Sequence, residues 1–340
     1  MRLFVNKNFL AWFYKKHNFF VSVREWNKVK TTFIGICRKK IKAGICRDKF
    51  DSSRIFIDAP MRLHTTFCIG GPADLLFYPK NIEEVQHIIQ IAAAYEQPIT
   101  LLGNGSNILV QDGGIRGLVI RFSSVMSNIR REGMELIIGA GALLKDVSFF
   151  AQKNGLSGIE FACGIPGSIG GAVFMNAGAY DSEMKSIVTE VKTVSVTGEI
   201  HSYTIDELEF EYRHSIFHKQ EEAICEIRIL LKEGNADDIS KTVNDLMDKR
   251  KNKQPLEFPS AGSTFKRPTG YFAGTLIDQT GLKGLTIGGA QVSQKHAGFI
   301  INIGGATAYD VQQLITSIQK FVHEKHGVKL IPELRIIGEP

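Results

Sequence analysis

Two glycine clusters are the first places in this sequence where residue type and spacing point to chemistry. The apolar run 99–102 leads directly into Gly103-Asn104-Gly105-Ser106-Asn107. Two glycines one residue apart let consecutive main-chain N–H groups turn towards a common point. That makes a small anion nest suited to pyrophosphate, and Ser106 and Asn107 add side-chain donors. An ordinary strand-to-turn connection uses the same residues, so this loop does not decide alone. The second cluster runs from Gly158 to Ala172 with five glycines in fifteen residues, then continues to Asn176-Ala177-Gly178-Ala179-Tyr180. Glycine costs backbone entropy, so a packed core does not accumulate it, whereas a flat ligand lying against main chain requires it. Together the loops suggest an extended cofactor threaded between two lobes. The candidate contacts are Gly103, Asn104, Gly105, Ser106 and Asn107, with Gly164, Gly167, Ser168, Gly170, Gly171, Asn176, Gly178 and Ala179.

The familiar nucleotide motifs are absent. Neither 103–107 nor Gly139-Ala140-Gly141 supplies the third glycine and following helix of a Rossmann fingerprint, and no GxxxxGK[ST] loop occurs.

The elements that must carry these loops are legible from periodicity. Strands are expected at 73–78, 99–102, 118–122 and 135–138. A helix over 82–95 has apolar residues at 82, 85, 88, 89 and 92, and one over 144–154 is closed by Gly155. Thr197-Gly198 reads as a hairpin turn between 191–196 and 199–203, and 223–231 as a further strand. The charged helix 237–253, followed by Pro255, looks like the hinge into a second unit. That unit has a glycine-rich stretch (270–305), a helix over 309–325 with apolar positions 311, 314, 315, 318, 321 and 322, and a final strand over 330–337. Interspersed strands and helices in both halves predict an α+β or α/β protein with two lobes.

Composition narrows the class. The chain has 340 residues, 44% hydrophobic and 22% charged, which excludes wholesale disorder. No run approaches the roughly 20 apolar residues of a membrane-spanning helix. The five cysteines are scattered and form no CxxC pair, so neither a disulfide framework nor a metal site is expected, and a reducing cytoplasm is. The net charge of +6 is unevenly placed. Residues 1–50 hold 13 Lys and Arg against Glu25 and Asp48, leaving 28 basic and 33 acidic residues for the rest. The body is therefore mildly acidic, with nothing to suggest nucleic acid. Segment 1–54 is expected to be a poorly ordered extension, or upstream sequence translated from an early start. Contact with a membrane surface through Phe9, Trp12, Phe13 and the flanking lysines is the other reading.

From about residue 58 to its end the sequence resembles the UDP-N-acetylenolpyruvoylglucosamine reductases, flavoenzymes that complete UDP-N-acetylmuramate. The matching pieces occur in one order. They are His64-Thr65-Thr66-Phe67 with Ile69-Gly70-Gly71-Pro72-Ala73-Asp74, then 102–107, 114–120 and 158–180. Phe210-Glu211-Tyr212-Arg213-His214-Ser215-Ile216-Phe217 follows, then Ala261-Gly262-Ser263-Thr264-Phe265-Lys266-Arg267-Pro268, 273–278, 294–302 and 330–338. The resemblance implies a two-lobed α+β FAD-binding fold of the vanillyl-alcohol-oxidase type, with the flavin lobe at 55–231 and a smaller substrate-binding domain at 232–340. It implies non-covalent FAD, NADPH as hydride donor, UDP-N-acetylglucosamine enolpyruvate as substrate, and a monomer. It is silent on 1–54. The stretch between Arg213 and Ser263 is largely filled by the 223–231 strand and the 237–253 helix, so the shorter subtype, without an extra tyrosine loop, is expected.

Reducing an enolpyruvyl ether means delivering hydride to the terminal alkene carbon while negative charge builds on the adjacent carbon and its carboxylate. By resemblance Arg213 stabilises that carboxylate, Ser263 protonates the carbanionic carbon, and Glu333 assists the charge development and proton delivery. Tyr212, Lys266, His296 and Arg335 are candidate substrate contacts. A solvated arginine, a turn serine and a surface ion pair between Glu333 and Arg335 are the structural readings of the same residues. A sugar or alcohol oxidase on this fold is the alternative enzyme. Such oxidases often attach FAD to a histidine near the pyrophosphate loop, and residues 88–120 contain none. A catalytically inactive flavin-binding protein is the third reading.

Overall fold

The computed structural model describes residues 50–340. The basic segment therefore lies outside the described residues except at its end. There Phe50 packs edge-on against Phe77, with ring centroids 5.1 Å apart. Asp51 caps the short turn Ser52–Arg54, and the Arg54 guanidinium clasps both Glu84 oxygens at 2.6 and 2.8 Å. The packed body thus begins upstream of the boundary expected at 54.

The first lobe has two sheets. In one, the strands Pro72–Phe77, Ile115–Arg121 and Ile99–Leu102 run parallel, with Ile55–Pro60 antiparallel at the edge. Between the first and third of these lies the helix Ile82–Ala94, capped by Asn81, with Val85, Ile88, Ile89 and Ala92 buried as its period predicts. The other sheet is antiparallel, ordered Ile200–Thr204, Val188–Val194, Ala223–Leu230, Glu135–Gly139, Ile129–Glu132, with its hairpin at Thr197-Gly198 as expected. Leu75, Phe77, Leu118 and Ile120 of the first sheet share one core with Leu136, Ile138, Val191 and Ile227 of the second. The glycine block lies at this junction and contains a short helix, Ile169–Phe174, that its glycine content concealed.

The helix Ala236–Lys253, expected to open the second unit, packs on the first. Its buried Ile239 and Val243 meet Cys163, and Ser240 accepts from Gln152 at 3.0 Å. The second lobe has a four-stranded sheet ordered Ser260–Ser263, Phe299–Asn302, Ala290–Val292, Thr286–Ile287. The helices Ala273–Thr280 and Ala308–His326 contribute Leu276, Ile277, Val311, Leu314, Ile318 and Val322 to its core. Phe321, expected on that seam, is instead 40% exposed, because Ile318 and Val322 already occupy the inward positions of that turn. Asp112, from the first lobe, accepts from Ala308 N and Tyr309 N at 2.9 and 3.0 Å and so holds the start of the long helix across the lobe junction.

The chain end departs from the expected strand over 330–337. Only Arg335–Ile337 is strand, and it pairs in parallel with Ile108–Val110, directly after the first glycine loop. Upstream, Pro332 and Glu333 attach instead to the second lobe, where Glu333 N donates to Thr264 O at 2.8 Å. Pro332 has no N–H to continue a ladder. The segment therefore changes partners at buried Leu334 and stitches the two lobes together.

Candidate active site

The two glycine loops meet. Asn104 Nδ2 donates to Pro166 O at 2.6 Å, and a Cβ on Gly103 would lie 2.4 Å from Ser168 Oγ. Gly105, at φ +68, lets the first loop lie against His64 and Thr65, whose neighbour Thr66 donates from N to Gly105 O and from Oγ1 to Ser260 O. Among the described residues none of the five main-chain N–H groups of 103–107 finds an acceptor. Unpaired amides in a glycine loop that packs against a second one are what a pyrophosphate needs, so the residues present fit FAD.

Two residues of the second block serve the scaffold instead. Asn176 is fully buried; its amide donates to Glu211 O at 3.1 Å and accepts from Lys185 N at 2.9 Å. It anchors the turn that carries Arg213 rather than facing a ligand. Gly170 is also buried, and a Cβ there would meet Ala140 at 2.9 Å, so its bare backbone permits close packing on the sheet.

Arg213, Ser263 and Glu333 line one cavity of about 430 Å³ between the lobes. Arg213 Nε donates to Glu333 Oε1 at 2.8 Å, and its Nη2 reaches Gly178 O at 3.4 Å. Arg213 stands at φ +55, left-handed backbone that costs a non-glycine residue roughly 1–2 kcal/mol and here aims the guanidinium along the lobe junction. Ser263 ends its strand with an exposed side chain on the same cavity wall. The next residue, Thr264, accepts from Glu333 N, so hydroxyl and carboxylate come from adjoining backbone.

Tyr212 and His296 also line the cavity. The Arg213 guanidinium lies 5.0 Å from the Tyr212 ring centre. Burial holds the His296 imidazole below its ordinary range, and its Nδ1 accepts from Gly298 N. Lys266 and Arg335 do not line this wall. Arg335 donates from N to Asn107 O and lays its guanidinium over Phe174 at 4.7 Å, on the side of the first glycine loop. It does not pair with Glu333, whose partner is Arg213. Sequence reasoning missed Arg267, Lys283 and Lys295, which make the cavity basic against Asp278 and Glu333. Arg267 and Lys295 adjoin residues already singled out, but scattered surface cations carry no periodic signal.

Residues 254–337 match the family model described as UDP-N-acetylenolpyruvoylglucosamine reductase, C-terminal domain, and residues 73–204 the FAD binding domain. A UDP-N-acetylenolpyruvoylglucosamine reductase of Clostridium perfringens (strain SM101 / Type A) is 52% identical over 289 residues, covering 85% of this chain and 95% of its own. One of Geobacillus thermodenitrificans is 48% identical over 282 residues, covering 83% and 92%. The crystal structure of the reductase from Thermus caldophilus superposes with a TM-score of 0.72 at 36% identity, covering 84% of this chain and 98% of that one. With lobes, glycine cradle and identity agreeing over that length, the chain belongs to the UDP-N-acetylenolpyruvoylglucosamine reductases, the FAD-dependent oxidoreductases of peptidoglycan synthesis.

Proposed function

We propose that this chain reduces the enolpyruvyl ether of UDP-N-acetylglucosamine enolpyruvate to UDP-N-acetylmuramate, with NADPH as reductant and Arg213, Ser263 and Glu333 as the catalytic residues. The observation that carries the reading is the convergence of these three side chains, from distant sequence, on one cavity at the lobe junction. FAD, when bound between the two glycine loops, supplies the hydride it has taken from NADPH.

Everything else falls to the protein. Arg213 uses one guanidinium edge on Glu333 and offers the remaining N–H groups to the substrate carboxylate, where negative charge develops. Ser263 is a weak acid and suits only a strongly basic carbon. Its hydroxyl donates the proton to the carbon bearing the carboxylate, the neighbour of the terminal carbon that receives hydride. Glu333 fixes the guanidinium and polarises the serine side of the cavity. Arg267, Lys283 and Lys295 give the wall the charge a nucleotide diphosphate requires. Free Cys68, Cys163 and Cys225 among the described residues support a reducing, cytoplasmic setting. No helix of the described residues is long and apolar enough to cross a membrane.

Anaerobic stopped-flow absorbance tests this reading. NADPH should bleach the flavin, and UDP-N-acetylglucosamine enolpyruvate should restore it rapidly. Recovery only on admitting air would make the chain an oxidase and overturn the proposal.

A further inference from the structure

Phe272 precedes the helix Ala273–Thr280 at the position where Ser, Thr, Asp or Asn is preferred, because a side-chain oxygen there accepts from the first free amides. Phe272 gives the helix no such cap. Its ring lines the cavity between the lobes and is 59% exposed. The turn before it is closed by Tyr271 N on Pro268 O at 3.1 Å and passes through Gly270 at φ +77, where a Cβ would meet nothing within 4 Å. A single exposed apolar side chain is ordinary on a protein surface. This one stands on a cavity wall and carries a cation, since the Arg267 guanidinium lies over its ring, 4.0 Å from the centre.

The cations of this wall are not equivalent. Lys283 Nζ lies 2.7 Å from Asp278 Oδ2. Lys295 Nζ lies 3.8 Å from Glu257 Oε2 and donates to Lys251 O at 2.7 Å. The Arg267 guanidinium has neither a carboxylate nor a hydrogen-bond acceptor among the described residues, and rests on Phe272 alone. Its backbone is held, because Arg267 N donates to Tyr212 OH at 3.4 Å, beside Arg213.

An apolar ring with a flat cation on one face, and more than half of its surface open, is what a heteroaromatic base stacks on. The unpaired guanidinium edge beside it suits the phosphate that follows such a base. We propose that Phe272, backed by Arg267, is the stacking platform for the nucleobase of the nucleotides this cavity takes. It holds them by the end remote from the reacting group. The proposal rests on the reading of the cavity as the site for UDP-N-acetylglucosamine enolpyruvate and NADPH. In both, a diphosphate separates the base from the reacting group. Uracil and adenine share the flat π face, so the experiment separates the two sources.

The test titrates the FAD-loaded protein and its F272A, F272L and F272W variants with UDP, ADP and inorganic pyrophosphate by calorimetry, and records the thermal unfolding of each. F272A and F272L should bind UDP, ADP or both about tenfold more weakly, the order that stacking of a base on an aromatic ring contributes. Their affinity for pyrophosphate should stay that of the parent. Tm should not change, because the exposed ring leaves no cavity behind. F272W should keep the parent affinities, since stacking requires a ring and not merely the apolar volume that leucine supplies. A loss confined to UDP assigns the platform to the uracil of the substrate, and a loss confined to ADP assigns it to the adenine of NADPH; either supports the proposal. An unchanged preference for UDP and ADP over pyrophosphate in F272A overturns it, as does an equal loss for all three ligands or an F272L variant that matches the parent. If the unaltered holoprotein binds UDP and ADP no better than pyrophosphate, the reading of the cavity as a nucleotide site fails first. If it prefers them and F272A keeps that preference, only the role of Phe272 fails.

Discussion

Arg213 Nε donates to Glu333 Oε1 at 2.8 Å across the lobe junction, with both side chains largely withdrawn from solvent. The pair joins a strained turn of the first lobe to the segment that stitches the chain end into both lobes. Because each partner leaves the other charge partly buried, the effect of removing one is larger than the worth of the contact. Glu333→Gln keeps the hydrogen bond and removes the charge. It should fold normally, accept electrons from NADPH at the usual rate, and slow flavin reoxidation by the enolpyruvyl substrate about a hundredfold. A uniform slowing of both half-reactions in stopped-flow traces would assign Glu333 to scaffold alone.

Ser263 gives a sharper division. Its side chain is exposed to the cavity, so Ser263→Ala leaves no buried group unsatisfied and should not change Tm. Reduction by NADPH should persist, and substrate-driven reoxidation should fall by ~10²–10⁴. Equal losses in both phases would mean that Ser263 is structural.

Gly167 tests the cofactor cradle. A Cβ there would lie 3.5 Å from Ser106 Oγ, ordinary contact, so Gly167→Ala fits the folded protein. The methyl would nevertheless stand between the loops. FAD affinity should weaken about tenfold, or about 1.4 kcal/mol, in apoprotein titration, with thermal unfolding of the apoprotein unchanged.

Asp112 reaches from the first lobe to cap the helix Ala308–His326. Asp112→Ala removes both acceptors and should cost about 1 kcal/mol, read as a fall of a few degrees in Tm. Asp112→Asn, which keeps one acceptor oxygen, should recover part of it. Equal Tm values for Asp112→Ala and the parent would show that the capping contact does not hold the lobes.

His218 sets a pH dependence. Burial, then the charges of Arg335 and His214, push its imidazole down to about 4. The ring stacks on Phe174 at 4.2 Å, and its Nδ1 accepts from Ser215 N, so the folded state holds it neutral. An unfolded histidine protonates near 6.5. Protons therefore favour unfolding, and this contribution, complete above that value, declines as pH falls towards about 4. His64 and His296, both lowered by burial, act in the same direction. His218→Gln should flatten the decline of Tm between pH 6.5 and 4; an identical slope in the variant would show that other groups carry it.

Local pattern determined much of this protein. The helix Ile82–Ala94, the hairpin at Thr197-Gly198 and the buried face of Ala308–His326 follow from side-chain period and cap chemistry, which act within a few residues. The glycine clusters suggested a cradle because bare backbone admits a close ligand, although Gly170 serves packing on the sheet instead. Ordered motifs also named Arg213, Ser263 and Glu333 through a family resemblance. Period two, however, placed Glu333 and Arg335 on one face of one strand. Tertiary structure decided otherwise, since that segment changes partners at Leu334 and gives Glu333 to Arg213 and Arg335 to Phe174. Tertiary structure likewise turned Asn176 into an anchor, docked the helix Ala236–Lys253 on the first lobe, and brought Arg267, Lys283 and Lys295 to the cavity. Those outcomes depend on which distant surfaces meet. Contacts between segments far apart along the chain leave no period in either one.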